Sequence, residues 1–203
     1  MDWSWWSSAG AFAVTMSATP GPNNAMIAAS GANFGFRKSI PHILGICIGF
    51  PLMLLMIGIL GFPLINNPAI HMIMKWVGSI YLLWLAWKIG SADPTLDSVR
   101  DEAKQGSKPL TLFQAAAFQW VNPKAWIIAA SALATYATSG SDSLNLSIIL
   151  LSVLFGLIAM PCVLLWTLLG IGASRFLTNK KSIRVFNVAM AILLVASLIM
   201  SFS

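Results

Sequence analysis

The chain has 203 residues, of which 58% are hydrophobic and only 9% are charged, and its net charge is +6. A water-soluble domain of this size could not cover so many apolar side chains, so the composition excludes an ordinary soluble protein and predicts an all-α integral membrane protein. The basic residues lie mainly in short segments between apolar stretches, where they set the orientation of membrane helices, and this excludes nucleic-acid binding.

The few charged residues divide the chain into six predicted transmembrane helices, because a helix needs about 20 apolar residues to cross a bilayer. Lys75 falls inside the third helix, and we expect its long side chain to extend towards the membrane surface. The predicted helices cover residues 5–34, 40–65, 68–89, 110–138, 144–176 and 183–202.

Positive charge is concentrated on one side of this arrangement. Two basic residues follow the first helix, three lie between the third and the fourth, and four lie between the fifth and the sixth. The segments that would lie on the opposite side, and both chain ends, contain no Lys or Arg. Because cytoplasmic loops are enriched in these residues, both termini are predicted to lie outside the cytoplasm.

The sequence SATPGPNNAMIAAS interrupts the first predicted helix near its centre. Proline removes a backbone donor and clashes with the preceding turn, and Gly21, between Pro20 and Pro22, lets the backbone leave helical geometry. We therefore predict that the helix stops and restarts here. Pro22 suits the first position of the restarted helix, so the free N–H groups around Asn23 and Asn24 point into the break.

A stretch in the second half of the chain is similar to this one. PNNAMIAASGA begins at Pro22 and PKAWIIAASAL begins at Pro123, and each proline lies 15 residues from a basic residue on the predicted cytoplasmic side. The two helices run in opposite directions, so the breaks lie at the same depth from the same face. We therefore predict two inverted three-helix repeats, residues 1–90 and 110–203, joined by a cytoplasmic linker at 91–109.

The fourth predicted helix contains FQWVNPKAW, in which Asn122 and Pro123 are followed by Lys124. A lysine deep in a bilayer is costly and usually faces a cavity or a partner, so Lys124 is a candidate binding residue. In the alternative interpretation it is a structural lysine, held by backbone carbonyls that the break leaves free.

Acidic residues are missing from all six predicted helices, so the sequence offers no metal site and no carboxylate relay there. One lysine and two helix N-termini favour an anionic group, and asparagine amides can also bind an ammonium. An amino acid zwitterion satisfies both requirements. No catalytic residue and no cofactor are predicted, and the predicted substrate-binding residues are Pro20, Gly21, Pro22, Asn23, Asn24, Asn122, Pro123 and Lys124.

Four motifs in this order, TPGPNN, GFRKS, YLLWLAWKIG and FQWVNPKAW, resemble the LysE/RhtB family of bacterial amino acid exporters. The resemblance covers nearly the whole chain. The third-helix ending and the stretch GICIGF are most similar to the cysteine/O-acetylserine exporters of that family, with homoserine and threonine exporters next. The resemblance implies a multi-pass secondary transporter of the bacterial plasma (inner) membrane, driven by the proton-motive force, that exports amino acids or their derivatives. The absence of acidic residues from the predicted helices argues against dibasic substrates and favours small neutral ones.

We expect such a transporter to work by alternating access, with one repeat rocking against the other around the two breaks. Its partners would be the amino acid and the lipid bilayer, and the sequence is compatible with a homo-oligomer. Lys124 and His42 are the candidates for carrying a proton, although an interfacial histidine after Pro41 is the favoured interpretation of His42.

Two other functions remain open from the sequence. Cys47 and Cys162 occupy corresponding helices of the two halves, which would suit a membrane thiol-disulfide electron carrier. A passive solute channel would share the broken helices but would need no alternating access. Loss of activity on replacing both cysteines with serine would favour the carrier, and gradient-dependent, saturable export would exclude the channel.

Overall fold

A computed structural model describes residues 1–60, 109–137, 141–174 and 180–200, with ten further residues between 72 and 91. This part of the chain is helical and contains no strand, which confirms the all-α prediction. Of the ten described residues between 72 and 91, the nine up to residue 90 are helical. The helices are α1 (Trp3–Ala18), α2 (Pro22–Leu60), α3 (Leu112–Val121), α4 (Pro123–Tyr136), α5 (Ser141–Ser174) and α6 (Lys180–Met200).

Two of the described helical stretches are long and apolar enough to cross a bilayer, Pro22–Leu60 and Leu144–Ala173, with mean hydropathies of 2.7 and 2.8. The six-helix arrangement, the inverted repeat with its domain limits, and the outward position of both termini stay predictions. Lys75 and nearly all of the predicted linker lie outside the described residues.

The first predicted helix is broken where its prolines indicate. The helix α1 begins at Trp3, with Asp2 as its cap, and ends at Ala18, after which Thr19 adopts an extended conformation. The helix α2 begins at Pro22. Proline is tolerated at this first position because its missing N–H would have no partner inside the helix.

The helix α2 consists of two segments, residues 22–34 and 36–60, separated by Gly35 with φ 75°. A glycine is suited to this left-handed conformation because it has no Cβ. The hydroxyl of Ser30 lies 2.9 Å from Nδ1 of His42 across this residue. Twelve residues of straight helix would separate them by about 18 Å, so the chain reverses direction at Gly35.

The fourth predicted helix is also broken. The helix α3 begins with a capping box, in which Thr111 and Gln114 each bind the other's backbone N–H. It ends at Val121, Asn122 is extended, and α4 restarts at Pro123. Each break therefore places a proline at the first position of the second helix, as the local sequence predicts.

The helix α5 packs along α2 and also contacts α1, so it lies against both parts of the first broken helix. Close approach depends on glycine: a Cβ on Gly31 or Gly170 would collide with backbone atoms of Thr167 and Ala28, respectively. In the same way, Gly45 and Gly49 let the second segment of α2 approach α3. The largest buried cluster joins α1, α2, α4 and α5, and Phe50, Met53, Leu133, Leu151 and Phe155 are among its members.

Candidate functional site

A cavity of about 60 Å³ lies where the two helix breaks meet. Six of the predicted binding residues line it, and the other two, Pro20 and Pro123, do not. The polar lining residues lie at the breaks, and we call them the polar wall: Ser17, Asn23, Asn24, Asn122 and Lys124. The apolar lining residues contributed by α2 and α5 are called the apolar wall: Ile46, Phe50, Phe155, Ala159 and Val163.

The side chain of Lys124 crosses from the second break to the first. Its Nζ donates hydrogen bonds to the carbonyl oxygens of Thr19 and Pro20, at 2.7 and 3.2 Å. These carbonyls are free because α1 has ended, so the break supplies hydrogen-bond partners for the ammonium of Lys124. Lys124 is therefore held by carbonyls that the break leaves free, as in the alternative interpretation. The same side chain also lines the cavity, as a binding residue would.

Gly21 makes room for this lysine. A Cβ at this position would lie 2.8 Å from Cδ and 3.0 Å from Nζ of Lys124. Ordinary van der Waals contact between such atoms begins well beyond these distances. The glycine therefore permits a close approach of the lysine to the chain at the first break, in addition to the flexibility for which the sequence singled it out.

The side chain of Asn24, in α2, binds free backbone carbonyls at the C-terminal end of α1. Its Nδ2 donates to the carbonyl oxygens of Ser17 and Thr19, at 2.8 and 2.9 Å. The indole Nε1 of Trp166 donates to Ala18 at 3.2 Å, so a third carbonyl of the same helix end has a partner. Side chains replace here the helical hydrogen bonds that the break removes.

Asn122 caps the restarted helix α4. Its Oδ1 accepts a hydrogen bond from the backbone N–H of Lys124 at 3.1 Å, and its own carbonyl accepts from Ala125 at 3.0 Å. Asparagine is among the residues preferred at this position, because its short side chain satisfies one of the free donors of the first turn. With an exposed fraction of 2%, Asn122 is held inside the protein.

Sequence reasoning missed Gln119, which is fully buried in α3. Its amide pairs with that of Asn23 through two hydrogen bonds of 2.9 and 3.1 Å, and it also donates to the carbonyl of Ala115 at 2.9 Å. The signal available in the sequence was an uncharged amide inside an apolar helix, three residues before Asn122. Such groups need partners in a membrane helix, and here the partner comes from the other break.

Several polar atoms of residues in the polar wall have no hydrogen-bond partner within the described protein. Among the described residues, no fully buried side-chain nitrogen or oxygen lacks a hydrogen bond. Oδ1 of Asn24 and Nδ2 of Asn122 make no hydrogen bond with the described protein, so they keep accessible surface. The ammonium of Lys124 has one N–H left beyond its two carbonyl partners. The cavity lining thus offers at least one amide acceptor and two N–H donors, in addition to the hydroxyl of Ser17.

His42 does not line the cavity. It is 2% exposed, and its Nδ1 lies against the hydroxyl of Ser30, itself 6% exposed. The favoured interpretation was a histidine at the membrane interface, whereas the reversal at Gly35 encloses the ring within the protein. A hydroxyl can donate to or accept from an imidazole nitrogen, so this pair tolerates either tautomer.

Neither of the two cysteines lines the cavity, and they are not bonded to each other. Cys47 is buried, with its Sγ 4.0 Å from Sδ of Met160, and Cys162 is partly buried. Within the described part of the chain, no group of three or more His, Cys, Asp or Glu residues could hold a metal ion.

Comparison with known proteins identifies the family. Residues 14–202 match the family described as LysE type translocator. The chain belongs to the LysE family. This confirms the resemblance found in the sequence motifs, and this LysE-family chain is a membrane transporter rather than an enzyme.

Curated relatives of this LysE-family chain bear the name cysteine/O-acetylserine efflux protein. The protein of that name from Salmonella typhi is 33% identical over 178 residues, which cover 87% of each chain. The one from Escherichia coli strain K12 is 30% identical over the same share. No solved structure matches the chain significantly.

Proposed function

We propose that this protein exports small neutral amino acids or their derivatives across the bacterial plasma (inner) membrane as a multi-pass secondary transporter. The observation that carries the proposal is the cavity between two helix breaks, with Lys124 bridging them. Secondary transporters place their substrate near the bilayer midplane at discontinuous helices, where helix ends supply free backbone groups.

The free polar atoms fit the two charges of an amino acid. The remaining N–H of Lys124 and the Nδ2 of Asn122 are donors suited to the carboxylate, and the N-terminus of α4 adds a favourable dipole. Oδ1 of Asn24 is an acceptor suited to the ammonium. Asn23 is paired with Gln119 and supports the polar wall instead of binding the substrate directly.

The names of the relatives favour cysteine and O-acetylserine as substrates. The motif resemblance makes homoserine and threonine the next candidates. The cavity lining contains no carboxylate. A second positive charge on lysine or arginine would therefore lack a partner there, which argues against dibasic substrates.

Contacts at the far end of α4 support alternating access. Nε1 of Trp5 donates to the carbonyl of Tyr136 at 3.0 Å, and the Tyr136 hydroxyl donates to the carbonyl of Ser8 at 3.2 Å. Phe12 packs between Tyr136 and Phe155, which places an aromatic layer beside the cavity. With the N-terminus outside, this layer closes the outer side, and export requires these contacts to separate.

The geometry gives less support to the two other functions. A thiol-disulfide carrier would be expected to bring its cysteines to the site, and neither Cys47 nor Cys162 lines the cavity. A passive channel would need a continuous path, whereas the contacts between Trp5, Ser8 and Tyr136 join α1 to α4 on one side of the cavity.

The test is export from bacteria that overproduce the protein, with extracellular cysteine, O-acetylserine, homoserine, threonine and lysine measured over time. We expect a saturable rise in one or more neutral amino acids that disappears when the membrane gradient is collapsed. Export that persists without the gradient would favour a channel. If none of these amino acids rises, amino acid export is wrong, and the Cys47→Ser/Cys162→Ser variant becomes the next comparison.

A further inference from the structure

The two walls of the cavity differ in chemistry because they come from different parts of the fold. Every residue of the polar wall lies at or beside a helix break, where backbone groups are free. The apolar wall comes from the second segment of α2 and from the middle of α5. Its five side chains are at most 7% exposed, so they are packed in place.

The apolar wall offers no hydrogen-bonding side chain, and its backbone lies within helices. The described hydroxyl groups of α5 that lie nearest in sequence to its apolar-wall residues already donate hydrogen bonds within the helix. Ser152 donates to the carbonyl of Ile148 at 2.8 Å, and Thr167 donates to that of Val163 at 2.8 Å. A hydroxyl that entered here would exchange water for apolar contacts without gaining a partner.

Two aromatic rings of the apolar wall contact each other. Phe50 and Phe155 meet edge to face with ring centroids 5.2 Å apart. Ala159 lies one turn from Phe155 on the same helix face and is the smallest side chain of the apolar wall. The cavity of about 60 Å³ suits a small side chain.

We propose that the apolar wall is the side-chain subsite of the transporter and that it selects thiol or small apolar side chains over hydroxyl and charged ones. This inference rests on the proposed function, because it requires the zwitterion to be held at the polar wall. The bound α-carbon then directs its side chain away from the breaks, towards Phe50 and Ala159.

The selectivity follows from desolvation. Cysteine and serine differ only in sulfur against oxygen, and a thiol is a weak hydrogen-bond donor that loses little on leaving water. A pocket that leaves a hydroxyl without a partner discriminates by roughly tenfold to a hundredfold. We therefore expect cysteine and its apolar isostere 2-aminobutyrate to be transported that much more efficiently than serine.

The experiment uses the full-length protein in proteoliposomes under reducing conditions. Uptake of labelled cysteine is measured with serine or 2-aminobutyrate as competitor. The variant Val163→Thr keeps the shape of a buried residue, 3% exposed, and adds a hydroxyl to the apolar wall. The control Val153→Thr makes the same change on the same helix at a residue that is 54% exposed and does not line the cavity.

We expect serine to compete weakly in the wild type and in Val153→Thr. In Val163→Thr, competition by serine should become stronger by about fivefold or more, in line with one added hydrogen bond. Equal competition by serine and 2-aminobutyrate in the wild type would overturn the inference. So would a Val163→Thr variant that keeps the wild-type preference. In both cases saturable cysteine uptake would persist, so export would stand, whereas uptake of no amino acid would remove the proposed function itself.

Discussion

The side-chain amides of Asn23 and Gln119 hold each other through two hydrogen bonds, 2.9 and 3.1 Å long, across the two helix breaks. The two residues are 96 positions apart in the chain. Gln119 is fully buried and Asn23 is half-buried beside the cavity. This pair therefore fixes the first segment of α2 against α3 at the level where the polar wall is formed.

The variant Gln119→Leu should lower the free energy of unfolding by about 1–3 kcal/mol, because it leaves the amide of Asn23 without its partner. The double variant Asn23→Leu/Gln119→Leu should lose less than the two single variants added together, since both polar groups are then removed. Thermal unfolding of the purified protein in detergent measures this coupling. Strictly additive losses would show that the pair contributes nothing.

Gly21→Ala should reduce transport by about tenfold or more while leaving the protein folded. The new Cβ would collide with the end of the Lys124 side chain, which is flexible and can move away from the carbonyls of Thr19 and Pro20. The uptake rate and the yield of monodisperse protein are measured together.

Gly10→Ala is the matched control for this substitution, because a Cβ at that position meets no atom within 4 Å. It should transport at the wild-type rate. Equal rates for Gly21→Ala and Gly10→Ala would contradict the claim that the position of Lys124 matters for transport.

Gly170→Ala should destabilise the packing of α5 against α2 by about 1–3 kcal/mol or more, because its Cβ would collide with the backbone of Ala28, which cannot move as a side chain does. Gly172→Ala lies two residues further along the same helix and meets nothing within 4 Å. Melting temperature should therefore fall in the first variant alone. A similar fall in both would point to a general effect of alanine in this helix.

Tyr136→Phe should favour opening of the cavity towards the end where Trp5 and Tyr136 lie. It removes one hydrogen bond, to Ser8, which contributes about 0.5–1.5 kcal/mol to the closed arrangement. Labelling of Ala125→Cys, in a background without the two native cysteines, measures access from that side.

The control for this comparison is Ser7→Ala, because the Ser7 hydroxyl binds only the carbonyl of Ser4 within the same helix. We expect faster labelling with Tyr136→Phe and an unchanged rate with Ser7→Ala. No increase with Tyr136→Phe would mean that this contact does not hold the outer side closed.

The helix breaks could be predicted from the sequence because proline and glycine act locally. Pro20, Gly21 and Pro22 interrupt the first helix whatever surrounds them, and the same holds for Asn122 and Pro123. The reversal between the first two predicted helices also depends on a local feature, the conformation of Gly35. The structure needs only this one non-helical residue, where the sequence suggested a longer connection.

The partners of buried polar groups could not be predicted in this way, because they depend on which helices meet. Nothing local shows that Gln119 faces Asn23, or that His42 lies against Ser30. The contacts of Lys124 illustrate the same limit. The sequence allowed either a binding lysine or one held by free carbonyls, and the structure shows the carbonyl contacts together with a place in the cavity wall.

Binding of the amino acid by Lys124, at the junction of the broken helices, is the step on which the proposed function depends. Its most direct test is labelled cysteine uptake into proteoliposomes containing the wild type, Lys124→Ala or Lys38→Ala, the last removing an exposed lysine that does not line the cavity. We expect a loss of about tenfold to a hundredfold for Lys124→Ala, because a hydrogen bond to a charged group contributes about 1.5–3 kcal/mol, and no loss for Lys38→Ala. Uptake by folded Lys124→Ala at the wild-type rate would contradict it.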